Sequence, residues 1–194
     1  MKNILVLLAH PKFELSSANK SLIHSIKDLP FVQINDLYEK YPDFNIQVEK
    51  EKADLLKADI IIWHHPIYWY SCPPLLKQWI DLVLEFGWAY GPNGTALKNK
   101  IIFNSITSGG AEEAYQKEGR NRFTLHEFLS PFNQTAHLCN LVYLPPFAVQ
   151  GTHRISNEEL NFQAKNYRKM LELLSSEAVN IQDLQSLSTL NKYF

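Results

Sequence analysis

Three segments of the sequence carry residue types that could bind a ligand, and each follows directly on an apolar run. Residues 10–19 are rich in hydroxyl and amide groups, residues 67–70 hold three aromatic rings in a row, and residues 107–110 end in adjacent glycines. Hydroxyls and amides bind phosphate oxygens, whereas aromatic rings stack on flat ligands. The candidate ligand-binding residues are His10, Ser16, Ser17, Ala18, Asn19, Ile67, Tyr68, Trp69, Tyr70, Thr107, Ser108, Gly109 and Gly110.

Each segment, taken alone, also has a simpler interpretation. The first has no GxGxxG and no Walker lysine, and it favours a Ser16 that only caps a helix, because capping serines are common. The aromatic residues are equally compatible with a core or an interface, although stacking on a ligand would add about 0.5–1.5 kcal/mol. Gly109 and Gly110 fit an ordinary turn as well as a backbone that directs N–H groups at an anionic ring.

The apolar runs that precede these segments predict the elements that position them. Continuous runs at 4–9, 59–65, 100–107 and 141–149, with a weaker one at 31–37, are typical of strands in a parallel sheet. Helical patterns lie between them, at 16–29, at 73–86, at 124–140 with a break at Pro131, and from a Ser156 cap onwards. This alternation predicts an α/β fold with a doubly wound, five-stranded parallel sheet of flavodoxin-like order 2-1-3-4-5 in three αβα layers. We expect one domain over residues 1–178, followed by a loosely packed tail or dimer arm over 179–194.

The three segments together indicate a ligand site more strongly than any one of them does alone, because the predicted fold places them at the same edge of the sheet. In open parallel sheets, ligands bind beyond the carboxyl ends of the strands, where all three segments begin. A phosphate-suited turn, an aromatic loop and a glycine turn are what a mononucleotide with a flat conjugated ring requires. The sequence therefore predicts a flavin.

Composition excludes other classes of function. The formal net charge is −1 and the pI is about 6.7, so no nucleic-acid partner is expected. His64 and His65 are adjacent in a strand and should point to opposite faces, and Cys72 and Cys139 have no zinc spacing, so we expect no metal site. No signal peptide and no bilayer-spanning run is apparent, which favours a cytoplasmic protein. Peripheral association at the inner face of the cell membrane stays open.

The chain resembles the flavodoxin-like NAD(P)H:quinone reductases, and within them the Kef-type ancillary proteins of glutathione-regulated potassium efflux. The resemblance extends to Ser175 and leaves out the C-terminal end. The matching segments are 37–46 with YPDFNI, 58–77, WID at 79–81, GWAYG at 87–91, GTAL at 94–97 and LPPF at 144–147.

The resemblance implies a homodimer with two flavin sites near its interface. It implies FMN in the Kef-type branch and FAD in others, with the flavin phosphate and ribityl chain at His10 and residues 16–19. Residues 67–70 would contact the ring and residues 107–110 its pyrimidine side. Trp88 and Tyr90 match an aromatic stretch near the substrate pocket.

One position departs from the family. In the animal-type reductases a Tyr and a following His lie above the flavin. Tyr115 matches that Tyr and is the candidate catalytic residue. The position of the His is occupied here by Asn121. A His-assisted relay is therefore not expected here. Arg120 and Arg122, which flank Asn121, are candidates for stabilising a reduced flavin or quinone anion or for binding a cofactor phosphate.

The resemblance implies two-electron transfer from NAD(P)H through the flavin to a quinone or similar electrophile, with ping-pong kinetics. The alternative is a regulatory subunit of a potassium efflux antiporter, with or without reductase activity. A one-electron carrier of flavodoxin type is the third reading, and the near-neutral pI and the extra aromatic loop argue against it. A stable semiquinone during titration would favour the carrier, and binding to a membrane transporter would favour the regulator.

Overall fold

The computed structural model describes residues 1–194 and has a parallel sheet at its centre. The strand order is β2-β1-β3-β4-β5, with β6 also paired to β4, and every pairing is parallel. The predicted flavodoxin-like order is therefore confirmed. The strands are β1 (Ile4–Leu8), β2 (Val32–Asp36), β3 (Ile60–Pro66), β4 (Ile101–Thr107), β5 (Val142–Tyr143) and β6 (Phe147–Val149).

The fifth strand position differs from the single run predicted at 141–149. Pro145 and Pro146 lack N–H groups, and the run is divided there into β5 and β6. The strand β5 pairs with the start of β4, with Val142 opposite Ile101, and β6 pairs with its end, with Phe147 opposite Ser105. Six segments thus occupy five positions in the sheet.

Helices cover both faces of the sheet. Alternate residues of the strands enter two apolar cores: Ile4, Val6 and Leu8 face one layer, and Leu5 and Leu7 face the other. The first layer contains α1 (Ser17–Ile26), α7 (Asn157–Ser175) and α8 (Ile181–Gln185), and the second contains α2 (Leu37–Lys40), α3 (Val48–Lys57), α4 (Pro74–Val83), α5 (Leu125–Phe128) and α6 (Ser130–Leu138). No helix has both the length and the apolar composition needed to span a bilayer.

The C-terminal segment, residues 179–194, is a structured part of the first layer rather than the loosely packed tail that we expected. Leu184 and Leu190 are fully buried against it. The N–H of Leu190 donates to the carbonyl of Pro146, and Asn191 Oδ1 accepts from the N–H of Ala148. The sequence did not predict this packing because the segment is mostly polar. Two buried leucine side chains are nevertheless enough to hold so short a segment against the core.

Glu51, in α3, is a carboxylate with no exposed surface, and three donors surround it. It accepts hydrogen bonds from Lys40 Nζ at 2.5 Å, from Tyr41 Oη at 2.6 Å and from Trp79 Nε1 at 2.9 Å. Burial, followed by the bond to Glu51, raises the pKa of Tyr41, which therefore stays a donor at every physiological pH. The cluster ties α2, α3 and α4 together.

Removing this carboxylate is expected to be strongly destabilising. Glu51→Ala leaves the buried Tyr41 hydroxyl and Trp79 indole N–H without an acceptor, and Lys40 keeps only Asp54 as a partner. We expect a loss of about 3–5 kcal/mol in the free energy of unfolding, measured by urea denaturation. Glu49→Ala is the matched control, since the Glu49 side chain lies on the same helix and is 87% exposed. Equal losses in both variants would contradict the role given to Glu51.

Candidate functional site

A cavity of about 500 Å³ opens beyond the carboxyl ends of β1, β3, β4 and β6. It brings together most of the predicted ligand-binding residues, namely His10, Ser16, Ser17, Ala18, Asn19, Ile67, Tyr68, Thr107, Ser108 and Gly109. Gly110 lines an adjoining cavity of about 510 Å³, which shares Gly109 and His153 with the first. Trp69 and Tyr70 lie outside the lining, and both are exposed.

Backbone N–H groups without a protein acceptor lie on all three loops around the cavity. They belong to Ser17 and Ala18 at the start of α1, to Trp69 and Tyr70, and to Gly109 and Gly110. At a helix N-terminus such groups, together with the helix dipole, favour a phosphate. The donor set therefore suits an anionic ligand whose far end also carries hydrogen-bond acceptors.

A buried hydrogen-bond network connects two of these loops. Asn19, 1% exposed, donates from Nδ2 to Ser16 Oγ at 2.8 Å and to Thr107 Oγ1 at 2.9 Å. Ser16 Oγ also accepts from the N–H of Asn19 at 3.3 Å, which confirms its predicted role as the cap of α1. The side-chain amide of Asn19 thus joins the start of α1 to the end of β4 by hydrogen bonds.

His64 supports that amide from the interior of the sheet. Its Nε2 lies 3.0 Å from Asn19 Oδ1 and its Nδ1 lies 3.4 Å from Tyr167 Oη. Complete burial lowers the pKa of His64 to about 3, so the ring is neutral at physiological pH.

His65 lies on the opposite face and belongs to a separate network. Its Nδ1 is 3.0 Å from the carbonyl of Pro66, and its Nε2 is 2.9 Å from Asn104 Nδ2. Burial lowers the pKa of His65 to about 4. The two histidine side chains therefore diverge, as the strand geometry predicts, and each has its own partners.

His10 is nearly buried at the wall of the cavity. Its Nδ1 accepts the N–H of Lys12 at 3.1 Å, and desolvation lowers its pKa, so the neutral ring carries its hydrogen on Nε2. The ring also packs edge-on against Tyr68, with the centroids 5.9 Å apart. His10 can thus offer one oriented N–H donor to a ligand.

Residues 68–71 form a tight hairpin turn with two aromatic residues at its centre. Tyr68 and Ser71 exchange backbone hydrogen bonds of 3.1 and 3.0 Å, and Trp69 and Tyr70 have φ values of 48° and 64°. This is the pattern of a type I′ turn, in which Asn-Gly is normally preferred. Holding two large side chains there costs about 1–3 kcal/mol each, and such strain is concentrated at functional sites. The Trp69 ring is 93% exposed.

Tyr115, Trp88 and Tyr90 do not line the cavity. Tyr115 is buried next to Gly110 and packs edge-on against Phe128, and Tyr70 stacks on the same Phe128 with centroids 5.0 Å apart. Trp88 and Tyr90 are half-buried and lie in the segment that follows α4. The structure therefore connects Tyr115 to the aromatic turn through Phe128, whereas Trp88 and Tyr90 are not part of the cavity lining.

The sequence interpretation missed the residues that follow the fifth strand position. Thr152 and His153 line the cavity, as do Lys12, Leu15 and Pro66. A Cβ on Gly109 would lie 2.3 Å from His153 Nε2, so this glycine permits the close approach of the His153 ring. The rule that ligands lie beyond strand ends, applied to β6 as well, would have identified both Thr152 and His153.

Comparison with known proteins agrees with this geometry. A sequence model described as the flavodoxin-like fold matches residues 2–172. The chain belongs to the flavodoxin-like family. It is 44% identical over 168 residues to the glutathione-regulated potassium-efflux system ancillary protein KefF of Klebsiella aerogenes, covering 87% of this chain and 94% of KefF. It is 45% identical over 165 residues to the uncharacterized NAD(P)H oxidoreductase YdeQ of Bacillus subtilis, covering 85% and 84% of the two chains.

Solved structures show the same fold. General stress protein 14 of Treponema denticola, in complex with FMN, is 36% identical, with a TM-score of 0.85 over 89% of this chain and 99% of the other. An NADPH-quinone reductase from P. pentosaceus is 29% identical, with a TM-score of 0.80 over 87% and 96%. A protein named thermophilic tryptophan halogenase, from Streptomycin violaceusniger, is 42% identical, with a TM-score of 0.84 over 86% and 97%. The family resemblance stated from the sequence motifs is confirmed.

Proposed function

We propose that this protein is an FMN-dependent NAD(P)H:quinone oxidoreductase. The observation that carries the proposal is the set of unpartnered N–H groups on three loops at one edge of the sheet. Those of residues 17–18 and Gly109 belong to the cavity lining, that of Gly110 to the adjoining cavity, and those of residues 69–70 to the turn outside the lining. A phosphate at the first pair and a ring edge between the other two would satisfy all of them. The FMN complex of general stress protein 14 and the oxidoreductase names of YdeQ and the P. pentosaceus protein support the same assignment.

In this proposal the protein binds and orients, and FMN supplies the ability to take up a hydride from NAD(P)H and pass two electrons to a quinone. The start of α1, with Ser16 and the neutral ring of His10, would hold the phosphate. Gly109 and Gly110 would donate to the pyrimidine edge, where they stabilise negative charge. Tyr115, buried beside Gly110, is the proposed catalytic residue for a proton near that edge.

The purified protein tests the proposal directly. It should be yellow, with FMN rather than FAD released on denaturation and identified by chromatography and mass spectrometry. Double-reciprocal plots against NAD(P)H at several quinone concentrations should be parallel, as expected for ping-pong transfer. A colourless protein that does not bind added FMN or FAD would contradict the flavin, and intersecting lines would contradict the ping-pong order alone.

The KefF identity favours a second role as a regulatory subunit. We propose that the protein also associates, as a homodimer at the inner face of the membrane, with a potassium efflux antiporter. Sedimentation would establish the dimer. Potassium efflux from vesicles containing the antiporter, with and without this protein, would establish the regulation; unchanged efflux at saturating protein would contradict it.

Trp69 offers a prediction that separates flavin retention from stability. Trp69→Asn should raise the unfolding free energy by about 0.5–1 kcal/mol, because Asn tolerates the positive φ and the exposed indole loses no packing. The same change should lower the FMN content after gel filtration, because the ring can no longer stack on the flavin. Trp69→Ala is the control, with the same loss of FMN and no gain in stability. Full FMN retention in both variants would contradict stacking by Trp69.

A further inference from the structure

The Asn19 amide has only one orientation that satisfies all of its hydrogen-bonding atoms. Its two N–H groups have two acceptors, Ser16 Oγ and Thr107 Oγ1, and its carbonyl oxygen faces His64 Nε2. If the amide were reversed, the NH₂ group would face His64 alone. One N–H would then be buried without an acceptor, which is unfavourable at a residue that is 1% exposed.

This orientation fixes the tautomer of His64. Because Asn19 Oδ1 can only accept, the hydrogen of the neutral His64 ring must be on Nε2. The other nitrogen, Nδ1, is then an acceptor, and Tyr167 Oη at 3.4 Å is the hydroxyl that can donate to it. Tyr167 is fully buried beneath the sheet and comes from α7, 103 residues away in sequence.

The orientation also determines what the two hydroxyls at the cavity can offer. Ser16 Oγ already accepts from both the N–H and the Nδ2 of Asn19, and Thr107 Oγ1 accepts from Nδ2. Their own hydroxyl hydrogens have no part in these bonds. Both hydroxyls therefore remain donors, which phosphate oxygens and other anionic acceptors require.

We infer that His64 is a positioning residue for the anionic end of the cofactor. A one-way chain of hydrogen bonds runs from Tyr167 through His64 and Asn19 to Ser16 and Thr107, which both line the cavity, and it leaves both hydroxyls free to donate. Of the two, Ser16 lies at the proposed phosphate site and carries the effect on the anionic end. The inference rests on the proposed FMN site and extends it to a residue that does not touch the ligand. His64 confers selectivity for a phosphorylated flavin over the uncharged one.

The experiment compares the affinities of FMN and riboflavin for the apoprotein, measured by the quenching of flavin fluorescence. His64→Leu removes the donor to Asn19, and FMN affinity should fall about 10- to 100-fold while riboflavin affinity changes less than threefold. His64→Gln can donate to Asn19 and accept from Tyr167, so it should keep the wild-type FMN-to-riboflavin ratio. His65→Leu is the control for the loss of a buried histidine and should leave the ratio unchanged.

A second measurement does not depend on any variant. In protein labelled with ¹⁵N-histidine, the nitrogen chemical shifts of His64 should show the hydrogen on Nε2. Hydrogen on Nδ1, or an unchanged FMN-to-riboflavin ratio in His64→Leu, would overturn the inference while leaving the FMN site intact. Failure of the wild-type protein to bind FMN at all would instead overturn the proposed function.

Discussion

The Ser17→Glu variant is expected to purify without flavin while remaining as stable as the wild type. Ser17 is the first residue of α1 and is exposed, and its N–H has no protein acceptor. A carboxylate there would repel the FMN phosphate by about 4 kcal/mol at 4 Å and an effective dielectric constant of 20, which corresponds to a loss of affinity of about 100- to 1,000-fold. The same carboxylate interacts favourably with the N-terminal end of the helix, by about 0.3–1 kcal/mol.

The opposite signs of these two effects make the test specific. FMN affinity would be measured by titration of the apoprotein, and stability by thermal unfolding of the same apoprotein. Ser17→Ala is the control, and it should keep FMN within about tenfold because the backbone N–H remains. Wild-type FMN affinity in Ser17→Glu would show that the phosphate binds elsewhere, and a lower melting temperature would show that loss of binding reflects misfolding.

Acid is expected to destabilise the protein before most of its carboxylates are protonated. His64 and His65 have pKa values of about 3 and about 4 in the folded protein, against about 6.5 when exposed. Between these limits the unfolded chain binds more protons than the folded one, so stability rises with pH and is complete above pH 6.5. As the pH falls from 6.5 to 4.5, each histidine removes about 1.4 kcal/mol per pH unit, or about 5 kcal/mol in total.

That loss is comparable to the whole stability of many domains, which is about 5–15 kcal/mol. Urea midpoints measured at pH 7.5 and 4.5 should therefore differ widely in the wild type. The difference should be much smaller in a His64→Gln/His65→Gln double variant, because neither Gln takes up a proton. His24→Gln, at an exposed position, serves as the control. Equal pH dependence in the wild type and the double variant would contradict the assignment to the two buried rings.

Local patterns were sufficient to predict most of the scaffold. The apolar runs identified β1, β3 and β4, and the cap at Ser16 and the break near Pro131 marked helix boundaries that the structure confirms. The polar helix α3 was missed because it buries few apolar side chains, and Glu51 and Lys52 are among the three that it buries. Its position depends on the ion pair of Glu51 with Lys40 and on the hydrogen bond that Glu51 accepts from Tyr41, which no periodicity reveals.

The sequence was sufficient to predict the loops that form the site, but not the buried hydrogen bonds that connect them. The strand-end rule located the three loops that meet at the cavity, because it depends only on topology. The bond from Asn19 to Thr107 spans 88 residues, and the pairing of His64 with Tyr167 spans 103. Contacts between residues so far apart in sequence depend on how the sheet packs against α7. They could not be predicted from the sequence of each element taken alone.

The contrast between the buried tryptophans and Trp69 has an optical consequence. Trp63 and Trp79 are 1% exposed, whereas Trp69 projects almost entirely into water. A collisional quencher such as iodide should therefore extinguish the red-shifted emission of Trp69 and leave the blue emission of the interior indoles. The fluorescence of Trp69 would therefore show, without any added label, when a flat chromophore or another surface covers the turn.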